Sequence, residues 1–121
     1  MEKFKEINTI LNKVIDRSEE DWVGLWEISD YLKEGAQSKD KFLMAKSLMI
    51  IERMLSLGFL VGSLDESATF QPWADQDVSV ALQRIAHEWQ LLGRAPAMYE
   101  ICWFDLPDDR RAAARAAVTS S

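Results

Sequence analysis

The chain has 121 residues, 48% of them apolar, and a net charge of −6 from 14 basic and 20 acidic side chains. That length and apolar content suit a single domain over residues 1–121, with a core that needs no cross-links. The one cysteine, Cys102, excludes an internal disulfide framework and a multi-cysteine metal site and points to a reducing compartment, the cytoplasm; the acidity disfavours phosphate backbones and bilayer surfaces and favours a basic partner.

In chain order, Phe4, Ile7, Ile10, Leu11, Val14 and Ile15 recur at helical spacing and predict an amphipathic helix over residues 2–16. Charge interrupts the apolar positions there, so the segment reads neither as a secretory signal nor as a membrane span. Ser18 followed by Asp21 resembles a capping box, and Trp22, Leu25, Trp26 and Leu32 then mark a second helix over residues 19–34 with Gly35 as its left-handed stop. Ser38 is the expected N-cap of a third helix, which runs through Phe42, Leu43, Leu48, Ile50, Ile51, Met54 and Leu55 to Gly58 and is apolar enough to be central and buried.

Phe59, Leu60 and Val61 and then Thr69, Phe70 and Gln71 flank a turn-rich stretch from Gly62 to Ser67, a β-hairpin closed by Pro72. Two strands alone need a helix to lean on. Asp75 or Asp77 caps a fourth helix in which Val78, Leu82, Ile85, Trp89 and Leu92 form one stripe ending at Gly93. After Pro96, the apolar stretch from Tyr99 to Phe104 reads either as one helical turn or as an extended strap. An alanine-rich tail with Arg110, Arg111 and Arg115, over residues 107–121, is expected to be a last, weakly anchored helix. The fold class expected is therefore mainly α, with one small β-hairpin and a winged-helix-like order of three helices, two strands and a helix.

Charge is unevenly spread. From Asp65 to Asp109 there are nine acids and two bases, a balance of 2 − 9 = −7, whereas residues 39–53 carry Lys39, Lys41, Lys46 and Arg53 against Asp40 and Glu52, a balance of 4 − 2 = +2. Lys39, Lys46 and Arg53 recur every seven residues and share one face of the third helix, the face a helix-turn-helix protein would turn to DNA.

No catalytic pattern accompanies these elements. His87 is the only histidine and stands beside Glu88, so neither a histidine pair for zinc nor a two-imidazole relay is available, and Cys102 between Ile101 and Trp103 has the apolar setting of an inert thiol. Gly-rich phosphate loops, HExxH, GxSxG and EF-hand spacings are all missing. No cofactor and no metal is expected. Of the five tryptophans, Trp22, Trp26 and Trp89 fall on helical stripes and are expected in the core; Trp73 and Trp103 stand next to acids outside the long helices, where an aromatic ringed by carboxylates serves as a partner anchor.

GLWEI (24–28), ERMLSLGFLVGSL (52–64), FQPW (70–73), HEWQLLGRAP (87–96) and ICWFD (101–105) as a set resemble small bacterial immunity proteins encoded beside polymorphic toxins, including those of contact-dependent growth inhibition systems. The resemblance implies a non-enzymatic antidote that binds and neutralises one cognate toxin domain, commonly a basic nuclease, in the cytoplasm, and contacts neither nucleic acid nor membrane itself. On that expectation Asp65, Glu66, Trp73, Asp75, Asp77, Trp103 and Asp105 form or border the partner surface. The competing expectation is a winged-helix DNA-binding regulator using the basic face of the third helix.

Overall fold

The computed structural model describes residues 2–34 and 42–120. Among the described residues, five helices and a small antiparallel sheet pack around one hydrophobic core. Helix α1 (Glu2–Ser18) buries Ile10, Leu11, Val14 and Ile15, and ends where the Ser18 hydroxyl donates to the Ile15 carbonyl. Ser18 thus closes the first helix and does not open the second.

The predicted helix over residues 19–34 divides. Trp22 precedes a two-residue strand, β1 (Val23–Gly24), and helix α2 (Leu25–Glu34) begins only afterwards. Glu27 at its third position accepts from the Gly24 amide at 2.7 Å, which is the backward half of a capping box, and pairs with Arg17 at 2.9 Å. Helix α3 (Leu43–Leu57) is central as expected, burying Leu43, Ile50, Ile51 and Met54 and stopping at Gly58 with φ 115°, a value that favours glycine. Its first cap is Phe42, which supplies no side-chain hydrogen bond; the expected stop at Gly35, the cap at Ser38 and the base Lys39 lie outside the described residues.

The hairpin consists of β2 (Leu60–Leu64) and β3 (Phe70–Pro72), with Gly62 opposite Pro72 and Leu64 opposite Phe70. Helix α4 (Val78–Leu92) has the predicted ends: the Asp77 carboxylate accepts from the Val80 amide at 3.1 Å, and Gly93 closes the helix at φ 70°. The stretch after Pro96 is neither a helical turn nor extended throughout: it turns at Met98 and Tyr99 and becomes extended only at β4 (Trp103–Asp105). This is an interior strand of a sheet ordered β1-β4-β2-β3, so the sheet is larger than the predicted hairpin.

Helix α5 (Asp108–Ser120) is firmly anchored, contrary to expectation. Ala114 and Val118 are buried, Arg115 reaches Asp16 of α1 and Glu19 in the turn just after it at 2.7 Å each, and Arg110 donates to the Gly58 carbonyl at 2.8 Å. Among the described residues no helix is long and apolar enough to cross a membrane.

Candidate functional site, an aromatic cleft on the open face of the sheet

The register gives the sheet two unlike faces. Val23, Val61, Cys102 and Phe104 point to one side and are fully or almost fully buried against the helices. On the other side Trp103 stands directly between Gly24 of β1 and Gly62 of β2, with Leu64 and Phe70 beyond. The two glycines make room for rings. A Cβ on Gly24 would lie 2.6 Å from the Trp26 indole and 3.4 Å from that of Trp103, and one on Gly62 would lie 2.8 Å from the Phe70 ring. Trp22 stacks on Phe70 at 6.0 Å, and Tyr99 packs against Trp103 at 5.6 Å with the planes tilted by 40°. An aromatic layer therefore covers the face that the helices leave open.

Two adjoining clefts of about 450 Å³ and 380 Å³ share Leu64, Ala68, Tyr99 and Trp103. The larger opens towards Asp65 and Glu66 at the hairpin tip, the smaller towards Trp22, Trp26, Met98 and the Arg17–Glu27 pair. Tyr99 is 70% and Met98 51% exposed, large apolar groups left to solvent. The Trp26 indole N–H is buried here without an acceptor among the described residues.

Backbone conformation singles out the same place. Among the described residues, only Ala68 (φ 58°), Tyr99 (φ 71°) and Ile101 (φ 69°) are non-glycine residues in the left-handed region, and all three line these clefts. Such a conformation costs about 1–2 kcal/mol per residue and is uncommon for a β-branched side chain. It persists where the surroundings over-determine it. Around Ala68 the determinant is Asp65, whose carboxylate accepts from the Ser67 and Thr69 amides and from the Gln71 side chain. The Thr69 hydrogen bond foremost holds the Asp65 carboxyl below the usual range. Around Tyr99 it is Glu100, which accepts from both Arg94 guanidinium nitrogens and from the Ala97 amide; the Arg94 hydrogen bonds foremost lower its pKa to about 2.

The structure brings Asp65, Glu66 and Trp103 together in the larger cleft, puts Asp105 on the Trp103 side of β4 but outside the lining of both clefts, and places Trp73, Asp75 and Asp77 elsewhere. Trp73 is only 9% exposed: its indole donates to the Ser63 hydroxyl at 2.9 Å and Arg84 covers its ring at 3.7 Å, so it belongs to the core. Asp75 accepts from the Asp77 amide and Asp77 caps α4, so both organise a helix start. Asp105 is half-buried on β4, and burial first, then the nearby Asp108, raises its pKa. Trp22 and Trp26, expected in the core, are half-buried and line the smaller cleft, whereas Trp89 is buried as expected. Tyr99 and Met98 also belong to the site, and no motif pointed to them; the one signal was that two large apolar residues stand between Pro96 and Glu100.

Elsewhere the chemistry is quiet. Cys102 is buried and its thiol is pushed up by burial, so the reactive thiolate is disfavoured. His87 is exposed on α4, and among the described residues no three His, Cys, Asp or Glu side chains are grouped to hold a metal ion. Compared with known proteins, the chain matches no family model, no curated protein and no solved structure.

Proposed function

We propose that this chain works by binding another protein, as the immunity protein of a polymorphic-toxin or contact-dependent growth inhibition system that neutralises a basic nuclease domain in the cytoplasm. The observation that carries this reading is the open sheet face: a half-exposed aromatic layer, rimmed by Asp65 and Glu66 and bordered by left-handed backbone at Ala68, Tyr99 and Ile101. Buried aromatics surrounded by polar groups are the usual source of interface affinity, while acidic charge steers a partner built to bind phosphate. No catalytic step is part of this reading. The test is co-expression with the C-terminal domain of a toxin whose gene adjoins that of this chain: growth and nuclease protection are expected with this chain, and unrelieved toxicity at matched expression, or no toxin gene beside it, contradicts the reading.

The second reading, a winged-helix DNA-binding regulator, draws on the helix–helix–helix–hairpin order and on Lys46 and Arg53 of α3. Two features weigh against it. Strand β2 of the hairpin is paired on both sides, with β3 and β4, so the hairpin does not stand out as a free wing, and its tip carries Asp65 and Glu66 where phosphates would pass. Lys46 also lines a small apolar cleft with Ile7, Leu32 and Met49. A gel shift against flanking intergenic DNA at physiological salt separates the readings, with a sequence-specific complex favouring the regulator.

A further inference from the structure

We propose that the larger cleft receives an arginine side chain of the basic partner, its guanidinium laid against the Trp103–Tyr99 pair and its charge met by Glu66. This inference rests on the protein-binding reading and names the chemistry of the residue that is recognised.

The charge around the two clefts is lopsided. Asp21, Glu27, Asp65 and Glu66 face a single guanidinium, Arg17, which is already paired with Glu27 at 2.9 Å. Asp65 is committed to the loop by three hydrogen bonds, whereas Glu66 is exposed and pairs with no cation among the described residues. An unspent carboxylate thus stands at the mouth of a cleft walled by a tilted pair of aromatic rings. A cation over an aromatic face with a carboxylate beside it gains both ring attraction and ion pairing, and a planar guanidinium stacks where an ammonium cannot.

The chain builds this same arrangement once internally. Arg84 lies 3.7 Å above the Trp73 ring, and its Nε donates to Glu88 at 2.9 Å. Trp73 therefore has its guanidinium already, while Trp103 offers a ring and Glu66 a carboxylate with the middle member absent among the described residues. An acidic group would be repelled from this cleft. An apolar side chain would find the rings but leave Glu66 without a partner.

The five tryptophans provide an internal readout, because each gives one indole N–H signal in a proton–nitrogen correlation spectrum. The probes are three blocked tripeptides, Gly-X-Gly, with arginine, its neutral isostere citrulline, or leucine at X, titrated into the full chain. The arginine peptide is expected to move the Trp103 signal and leave Trp73 and Trp89 unmoved. Citrulline and leucine peptides are expected to bind several-fold more weakly, and Glu66→Gln to weaken the arginine peptide about threefold, the range of an exposed ion pair. Equal binding of the citrulline or leucine peptide, or a Trp103 signal that never moves, overturns the proposal. The two readings fail separately: a toxin domain that binds Glu66→Gln and Trp103→Ala variants as tightly as the native chain sinks the arginine site alone. Arginine-peptide binding without any toxin complex sinks the immunity reading alone.

Discussion

Arg94 and Glu100 form a two-pronged ion pair, Nη1 to Oε1 at 2.7 Å and Nη2 to Oε2 at 2.9 Å, that closes the strap carrying Tyr99 to the sheet face. Glu100 also accepts from the Ala97 amide, so one carboxylate fixes both the end and the turn of the strap. The left-handed backbone at Tyr99 and Ile101 is held between this clamp and β4.

The clamp has a pH signature. The Glu100 pKa is lowered from 4.5 to about 2 in the folded chain, so the unfolded state binds a proton that the folded state does not. The stabilisation from Glu100 is complete above pH 4.5 and is lost as pH falls through the folded value. Urea midpoints should therefore decline between roughly pH 4.5 and pH 2, and Glu100→Gln should flatten that part of the curve. An unchanged slope in the variant would show that other carboxylates account for the decline.

Trp103 and Phe104 are adjacent on β4 yet face opposite ways, Phe104 fully buried and Trp103 half-exposed in the clefts. Phe104→Ala should cost about 3–5 kcal/mol of stability and unfold much of the population. Trp103→Ala should leave the urea midpoint close to that of the native chain and cost at least about 2 kcal/mol in partner affinity. A collapse of both variants would place Trp103 in the core.

Gly62→Ala should destabilise the sheet by about 1–3 kcal/mol, because a Cβ there runs into the Gln71 backbone carbonyl, which cannot swing aside as a side chain can. The same variant should broaden the amide signals of Trp103, the residue directly across from Gly62. Native-like stability and spectra would mean that β3 moves freely away from β2.

The acids expected to border the partner surface should separate into two kinds. Asp77→Ala removes an N-cap and should cost about 1 kcal/mol of stability. Glu66→Gln touches no internal partner among the described residues and should leave stability unchanged while slowing association with a basic partner at low salt. Calorimetric and kinetic measurements on both variants check the division.

Where an element is long and one face is buried, the sequence was readable. The stripe through Ile85 and Trp89, the Asp77 cap and the Gly93 stop all stand as predicted, and so does the burial of Ile50, Ile51 and Met54 in α3. Strands of two or three residues show too little alternation to register, so Val23–Gly24 was absorbed into a helical stripe. Cys102, Phe104 and Leu106 alternate in burial, but Trp103 between them is as apolar as they are and masked the period. The tryptophans were divided wrongly for a related reason. Helical spacing put Trp22 and Trp26 in the core, because periodicity shows which residues share a face but not that an open sheet face carries a second aromatic layer. Trp73 looked exposed among acids, and only the fold brings Arg84 over its ring and Ser63 to its nitrogen. The left-handed residues Ala68, Tyr99 and Ile101 carry no sequence signal, since none is a residue type that prefers that conformation.

Protein binding by the aromatic cleft is tested most directly by mixing this chain with the C-terminal domain of a toxin encoded beside it and following association by stopped-flow tryptophan fluorescence from low to physiological salt. A stable complex is expected, with an association rate that falls steeply with salt and is lowered by Glu66→Gln, and with a dissociation that is hastened by Trp103→Ala. A complex with salt-independent association, insensitive to both substitutions, would contradict the assignment of the partner surface to the aromatic cleft, and the absence of any complex at micromolar concentrations would contradict the proposed function itself.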